Sequence, residues 1–205
     1  MAGYDLDARF SLVTAPTEEP LTVQDVVDQC QLGEIHDDQR RKVARDIIAA
    51  RQAIERRLRR QFVTATWKLY LDNLPGEILI TDKLPVKTIT HIKYYNANGT
   101  LTTLTPAATY YQTDLVSEGR PARIIPAYGT TWPSVRADTL NAVEIQFTAG
   151  YGAASAVPAC LKSGMLLLIA NAYENREQAV IGAIATELPW GVEACITPED
   201  WGAYS

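Results

Sequence analysis

The spacing of apolar side chains divides the chain into a helical beginning, a long alternating middle and a helical end. In the mixed opening of residues 1–20, Phe10, Leu12 and Val13 mark a short strand or extended arm. Val23, Val26, Val27 and Cys30 then fall on one side of a helix. Thr22 supplies its N-cap, Asp25 completes an acidic form of the capping box, and Gly33 ends it. Val43, Ile47, Ala50, Ile54 and Leu58 recur at steps of three and four. They predict a second helix, capped by Asp37 or Asp38 and running to about Gln61. From Phe62 the period drops to two, and residues 64–71, 77–81, 88–95, 100–104, 110–115, 123–126 and 143–148 read as short strands. In the first of these Trp67, Leu69 and Leu71 share a face; in the third Ile89, His91, Lys93 and Tyr95 alternate. Asn96-Ala97-Asn98-Gly99 is a hairpin turn, with Gly99 supplying a positive φ.

The period returns to that of a helix over residues 157–178. Pro158 presets a first helical turn. Leu161, Met165, Leu168 and Ala172 line one face, while Leu166, Leu167 and Ile169 widen the apolar surface to most of the circumference. Such a helix is covered on more than one side. Lys162 and Asn171 bound its uncharged run well below the roughly 18 residues that a bilayer span needs, so no membrane partner is expected. It ends abruptly in polar Tyr173-Glu174-Asn175-Arg176-Glu177. Residues 179–186 continue as helix or loop, and the tail carries Trp190 and Trp201.

This order predicts an α+β fold. The stripe on the second helix and the apolar helix near the C-terminus both need cover, and each large apolar side chain left in water would forgo about 1.5–3 kcal/mol. Packing the N-terminal helices on the C-terminal one satisfies both. The expected architecture is a discontinuous α-helical domain, residues 1–61 and 151–205, holding an inserted antiparallel β-sheet or sandwich domain, residues 62–150.

Composition adds little to this, but charge does. The chain is ordinary in hydrophobic content and carries a net charge of −5, against general nucleic-acid affinity. Nine of its 19 basic residues nevertheless lie between Arg40 and Arg60. Arg41, Arg45, Arg56 and Arg59 sit opposite the apolar stripe, with Lys42 and Arg60 beside them. That face is either a solvated helix back or a surface turned to phosphate or to an acidic partner subunit. Cys30, Cys160 and Cys195 are odd in number and far apart, so a reducing compartment is expected, with no disulfide framework. The opening MAGYDLDARF lacks the basic flank and apolar core of a secretory leader, and a protein assembled in the cytoplasm is expected.

No catalytic, metal or cofactor site is expected. His36 sits beside Asp37 at a helix start, where capping or exposure suits it better than catalysis. No Cys, His or carboxylate cluster has ligand spacing, no serine lies in a nucleophile elbow, and no phosphate loop occurs. Gly150-Tyr151-Gly152-Ala153-Ala154-Ser155 follows a strand and precedes a helix, as a dinucleotide loop does. Ser155 stands where the third glycine belongs, however, and no second parallel strand follows, so the motif reads as a turn.

The motifs in their order resemble those of the head-tail connector (adaptor, head completion) proteins of long-tailed bacteriophages and gene transfer agents. The matching residues are Leu21-Thr22, Asp25-Val26, Ile54-Glu55, the run from Trp67 to Asp72, Leu84-Pro85-Val86, Ile89, Ile92, Tyr94, Asn96 and Gly99. They continue through Trp132-Pro133, Phe147, Ala149-Gly150-Tyr151, Val157-Pro158 and the run from Tyr173 to Glu177. The resemblance implies a structural virion protein that is not an enzyme and needs no cofactor. It implies a homo-oligomeric ring, commonly twelve-fold, at the head-tail interface, after assembly in the host cytoplasm. The partners implied are the portal protein above and a stopper or tail-completion protein below. Packaged DNA passes through the lumen without sequence-specific binding.

Relatives commonly end in a basic motif that reaches the portal, whereas this chain ends Trp201-Gly202-Ala203-Tyr204-Ser205. Portal or inter-subunit contacts are expected from Arg41, Arg45, Arg56, Arg59, Leu166, Leu167, Tyr173, Arg176, Trp190, Trp201 and Tyr204. The three tail aromatics either anchor such a contact or fold back on the helical domain. Two rival readings stand beside this one. One is a carbohydrate- or nucleic-acid-binding β-sandwich with Tyr94, Tyr95, Tyr110 and Tyr111 as its platform; the other is an enzyme using a carboxylate pair.

Overall fold

The computed structural model describes residues 9–104, 110–115, 120–174 and 190–200. These form two compact units, 1–15 with 64–150 and 16–63 with 151–205. The fold is mixed α+β, with four helices and two antiparallel sheets among the described residues.

The helical unit begins with α1, Val23–Gln29. The Thr22 hydroxyl accepts from the Asp25 N–H, and the Asp25 carboxylate accepts from the Thr22 N–H at 2.7 Å, so the capping box forms as expected. α2 is Asp37–Leu58. Its N-cap is His36 and not either aspartate, and the His36 N–H donates to the Gln39 side chain at 3.0 Å. It stops short of Gln61 because Arg59 turns left-handed (φ 55°), which sends Arg60, Gln61 and Phe62 inward, all nearly without exposure.

The expected stripe Val43, Ile47, Ala50, Ile54 and Leu58 is buried in full. It packs with Leu161, Met165, Leu168 and Ile169 of α3, Ala159–Glu174, and with Val26 of α1. The residues expected to continue α3, 175–178, lie outside the described ones, as does 179–186. A helix missed in the tail, α4, Trp190–Ile196, adds Val192 and Ile196 to this core. Gly164 is where α3 meets it. A Cβ at that position would stand 3.1 Å from Ile196 Cγ2 and 3.6 Å from Cys195 Cβ.

The β unit holds a five-stranded sheet in the order β1-β2-β8-β4-β5 and a three-stranded sheet in the order β3-β7-β6. The strands are β1 Arg9–Thr14, β2 Ala65–Leu71, β3 Ile78–Ile80, β4 Val86–Tyr95, β5 Leu101–Leu104, β6 Tyr111–Asp114, β7 Ala122–Pro126 and β8 Val143–Ala149. β1 pairs antiparallel with β2, so Arg9–Thr14 belong with the β unit, whereas the sequence boundary grouped them with the helices. In the central strand β8, Val143, Ile145, Phe147 and Ala149 are buried and the intervening residues half-buried, the signature of a one-sided core. Ile78, Ile80 and Ile124 do the same for the small sheet.

Alternation fails in β4. A register shift between Ile89 and His91 puts Ile89 opposite Phe147, on the face of Ile92 and Tyr94, while His91 faces Gln146. On the outer face His91 Nε2 lies 3.0 Å and Lys68 Nζ 3.1 Å from Glu144 Oε1. Gly150 and Gly152 have φ of 121° and 142°, open to glycine but strained for other residues, so the Gly-rich motif is a turn as expected. The two stretches of chain at 62–63 and 151–152 are bonded to each other: the Tyr151 N–H donates to the Phe62 carbonyl at 2.9 Å, and Val63 bridges Gly152.

Two outcomes are expected from this packing. Gly164→Val overfills the α3–α4 contact and should lower stability by about 1–3 kcal/mol in urea denaturation; unchanged stability would mean that the contact is loose. Burial works against the Glu144 charge, but hydrogen bonds from His91 and Lys68 outweigh it and hold the carboxyl below the usual carboxylate range. Its stabilisation is therefore complete above the unfolded carboxylate value, about 4.3, and is lost as pH falls through the lower folded one. Glu144→Gln should flatten the fall in melting temperature below about pH 4.3, a comparison read by calorimetry across that range.

Candidate assembly surfaces

At the inner end of α2 the sequence builds a polar knot. Arg51 and Glu55, one turn apart on the flank of the apolar stripe, are both buried. Arg51 donates to both oxygens of Glu19, Nε at 2.7 Å and Nη2 at 3.1 Å, and through Nη1 to Glu55 Oε2 at 2.8 Å. The other Glu55 oxygen accepts from Gln61 Nε2 at 3.0 Å and from the Phe62 N–H at 2.8 Å. Burial opposes the Arg51 charge, but the Glu19 hydrogen bonds and the charges of Glu55 and Glu19 outweigh it and raise its pKa.

Arg60, grouped in the sequence with the exposed basic face, is instead buried. Its Nε donates to the Glu199 carbonyl at 2.7 Å, its guanidinium lies 5.8 Å from the Tyr151 ring, and the Tyr151 hydroxyl donates to Glu199 at 2.9 Å. Burial pushes the Tyr151 phenol well up; the Arg60 charge opposes this, and the Glu199 hydrogen bond adds to it. Arg57 reaches Asp200 at 3.3 Å. The knot thus fixes the chain just before residue 201. Only the i,i+4 placing of Arg51 and Glu55 beside the stripe could have signalled it.

The basic face itself is where the spacing put it. Arg41, Arg45, Arg56 and Arg59 are exposed opposite the buried stripe, with exposed Ile48 and Gln52 among them. Arg41 pairs with Asp38; Arg45, Arg56 and Arg59 have no ion pair among the described residues. A second surface comes from α3 and α4. Leu166 is half-buried against the core, whereas Leu167 remains 38% exposed and Trp190 86% exposed. A Cβ on Gly191 would lie 3.7 Å from Leu167 Cδ1, so the Leu167 side chain reaches the residue next to Trp190. Tyr173 is half-buried, with the Lys42 ammonium 5.8 Å from its ring centre. Arg176, Trp201 and Tyr204 lie outside the described residues.

Of the four tyrosines expected as a platform on the β unit, Tyr94 and Tyr111 are buried and Tyr95 and Tyr110 are exposed. Burial also raises the Tyr111 phenol. Among the described residues no His, Cys, Asp or Glu group is arranged to hold a metal ion, and no helix is long and apolar enough to cross a membrane. Cys30, Cys160 and Cys195 are free thiols, Cys30 raised by burial and by Glu174.

Glu55→Ala would leave Arg51 half-answered and orphan the Phe62 N–H, and should cost about 3–5 kcal/mol. Arg51→Met in the same chain should recover part of that loss in a denaturation double-mutant cycle, and strict additivity would sink the coupling.

No protein-family model and no curated protein matches the chain. Solved structures do. One is the neck of an empty gene transfer agent particle with C6 symmetry: TM-score 0.70, 28% identity, 93% of this chain and 94% of the other. Another is the virion of a native gene transfer agent particle, with TM-score 0.68 and 29% identity over 92% and 93% of the two chains. A third is the neck of a native particle with C12 symmetry, with TM-score 0.64 and 26% identity over 93% and 94%. The head-tail connector resemblance read from the motifs is thus borne out: over nearly its whole length this chain is similar to chains of gene transfer agent virion structures, two of them of the neck.

Proposed function

We propose that this chain is a structural protein of a phage-like virion neck, an adaptor that forms a ring beneath the portal, extends the DNA channel and docks the stopper or tail. The observation that carries the reading is similarity along nearly the full chain to components of neck particles with C6 and C12 symmetry. Its place is the head-tail interface of the virion, reached after assembly in the host cytoplasm. Twelve subunits fit both symmetries.

The physical features suit that role. A net charge of −5 lets DNA slide through a lumen instead of gripping its phosphates. Apolar side chains left uncovered on α3 and α4, Leu167 and Trp190 above all, give a neighbouring subunit or the portal something to bury. Tyr173 and Leu166 border the same elements, and Arg176, Trp201 and Tyr204 follow them in sequence.

Native mass spectrometry and light scattering, with and without portal particles, test the role. A ring, or joining to portal particles, is expected; a strictly monomeric species that never joins them would overturn it. Leu167→Asp should leave folding within about 0.5 kcal/mol of the parent, because its side chain is already partly in water. It should weaken assembly by at least about tenfold. Leu166→Asp should reduce both, and ring formation by both variants at the parental level would remove α3 from the contact.

A further inference from the structure

The helical unit is electrically divided along its sequence. Residues 10–39 carry seven carboxylates and no Lys or Arg, and residues 40–60 carry nine basic residues and two acidic ones. Much of this is neutralised inside one subunit: Arg51 by Glu19 and Glu55, Arg60 by Glu199, Arg57 by Asp200, Arg41 by Asp38 and Lys42 by Asp46.

Apart from Arg40, which is exposed one turn along α2 from Asp37, the remainder collects in two separate places. Arg45, Arg56 and Arg59 form an exposed ridge about 21 Å long on the outer face of α2, with exposed Ile48 within it. Asp28 of α1, Glu34 of the connection and Asp37 at the start of α2 are exposed and have no basic partner among the described residues. Asp28 accepts only a neutral hydrogen bond, from Gln24 at 2.7 Å.

We propose that these two surfaces meet between copies of this chain: the arginine ridge of one subunit docks on the acidic α1 surface of the next. The inference rests on the ring reading and names its contact. Two different, complementary patches on one subunit make a head-to-tail contact, which closes into a ring when the rotation allows. Arg56 and Arg59, one turn apart, repel each other, and an acidic neighbour would relieve that cost. DNA as the occupant would leave the acidic pole unexplained, and the net charge of −5 opposes it. Ile48 gives the contact an apolar centre inside a charged rim.

Charge exchange tests the pairing. Arg45→Glu with Arg56→Glu should weaken self-association, and incorporation into particles, by at least about tenfold, as should Asp28→Arg with Glu34→Arg. All four changes in one chain should restore assembly to within a few-fold, because the poles are then exchanged. The two double variants mixed should co-assemble although neither assembles alone. Association should also weaken in 1 M NaCl, where screening reaches only about 3 Å.

Circular dichroism and melting temperature confirm that each variant is folded. If the fourfold variant is folded but stays apart while the parent assembles, the pairing is wrong and the ring reading stands. Double variants that assemble normally overturn the pairing in the same way, even if Arg45→Glu with Arg56→Glu loses affinity for double-stranded DNA. A parent that never associates, in solution or in particles, overturns both.

Discussion

Glu55 is a carboxylate taken out of water in the middle of a protein, and the helical unit is arranged around answering it. One oxygen is met by Arg51, which also holds Glu19; the other is met by the Gln61 amide and the Phe62 backbone. Those three partners, with Glu19 behind Arg51, come from the lead-in to α1, from α2 itself and from the stretch that leaves for the β unit. Satisfying one buried charge therefore fixes where three segments of chain run. The same end of α2 carries Arg60 to Glu199, so the last described residues are tied in as well.

This explains how one helix serves two purposes. The stripe from Val43 to Leu58 binds α2 to α1, α3 and α4, and the flank carrying Arg51 and Glu55 locks the register. Everything opposite is released from structural duty. The side chains of Arg45, Arg56 and Arg59 make no ion pair among the described residues, and α3 similarly buries Leu161, Met165 and Leu168 while leaving Leu167 exposed. The subunit is thus complete inside and unfinished outside, in keeping with a protein whose relatives are seen in assembled particles.

The periodicities announced most elements because their causes are local. Helical spacing marks α2 whatever covers it, Thr22 and Asp25 cap α1 within four residues, and short alternating runs mark the strands of the β unit. What stayed hidden has non-local causes. The shift between Ile89 and His91 is set by pairing with β8, more than fifty residues away in sequence. β1 belongs to the β unit because β2 accepts it, which its own composition does not reveal. Arg60 looked like a member of a solvated face because its counter-charge, Glu199, is remote in sequence. α4 offered only Val192 and Ile196 as apolar spacing, too short a run to announce a helix. For the assembly surfaces, the basic face and the apolar excess of α3 were readable as leftovers, while the acidic counterpart emerged only once internal ion pairs had been removed.

The pairing of β2 with β8 sets Ala65 opposite Ala149. Adjacent strands lie about 5 Å apart, so a folded β unit hands its two ends back side by side. Joining α2 to α3 would otherwise mean closing a loop of nearly a hundred residues, with an entropic cost that must be met before any core contact forms. With the inserted unit already folded, that loop is short, and α2 and α3 meet almost as neighbours in a hairpin. A folded inserted unit would therefore shorten the loop that the helical one has to close.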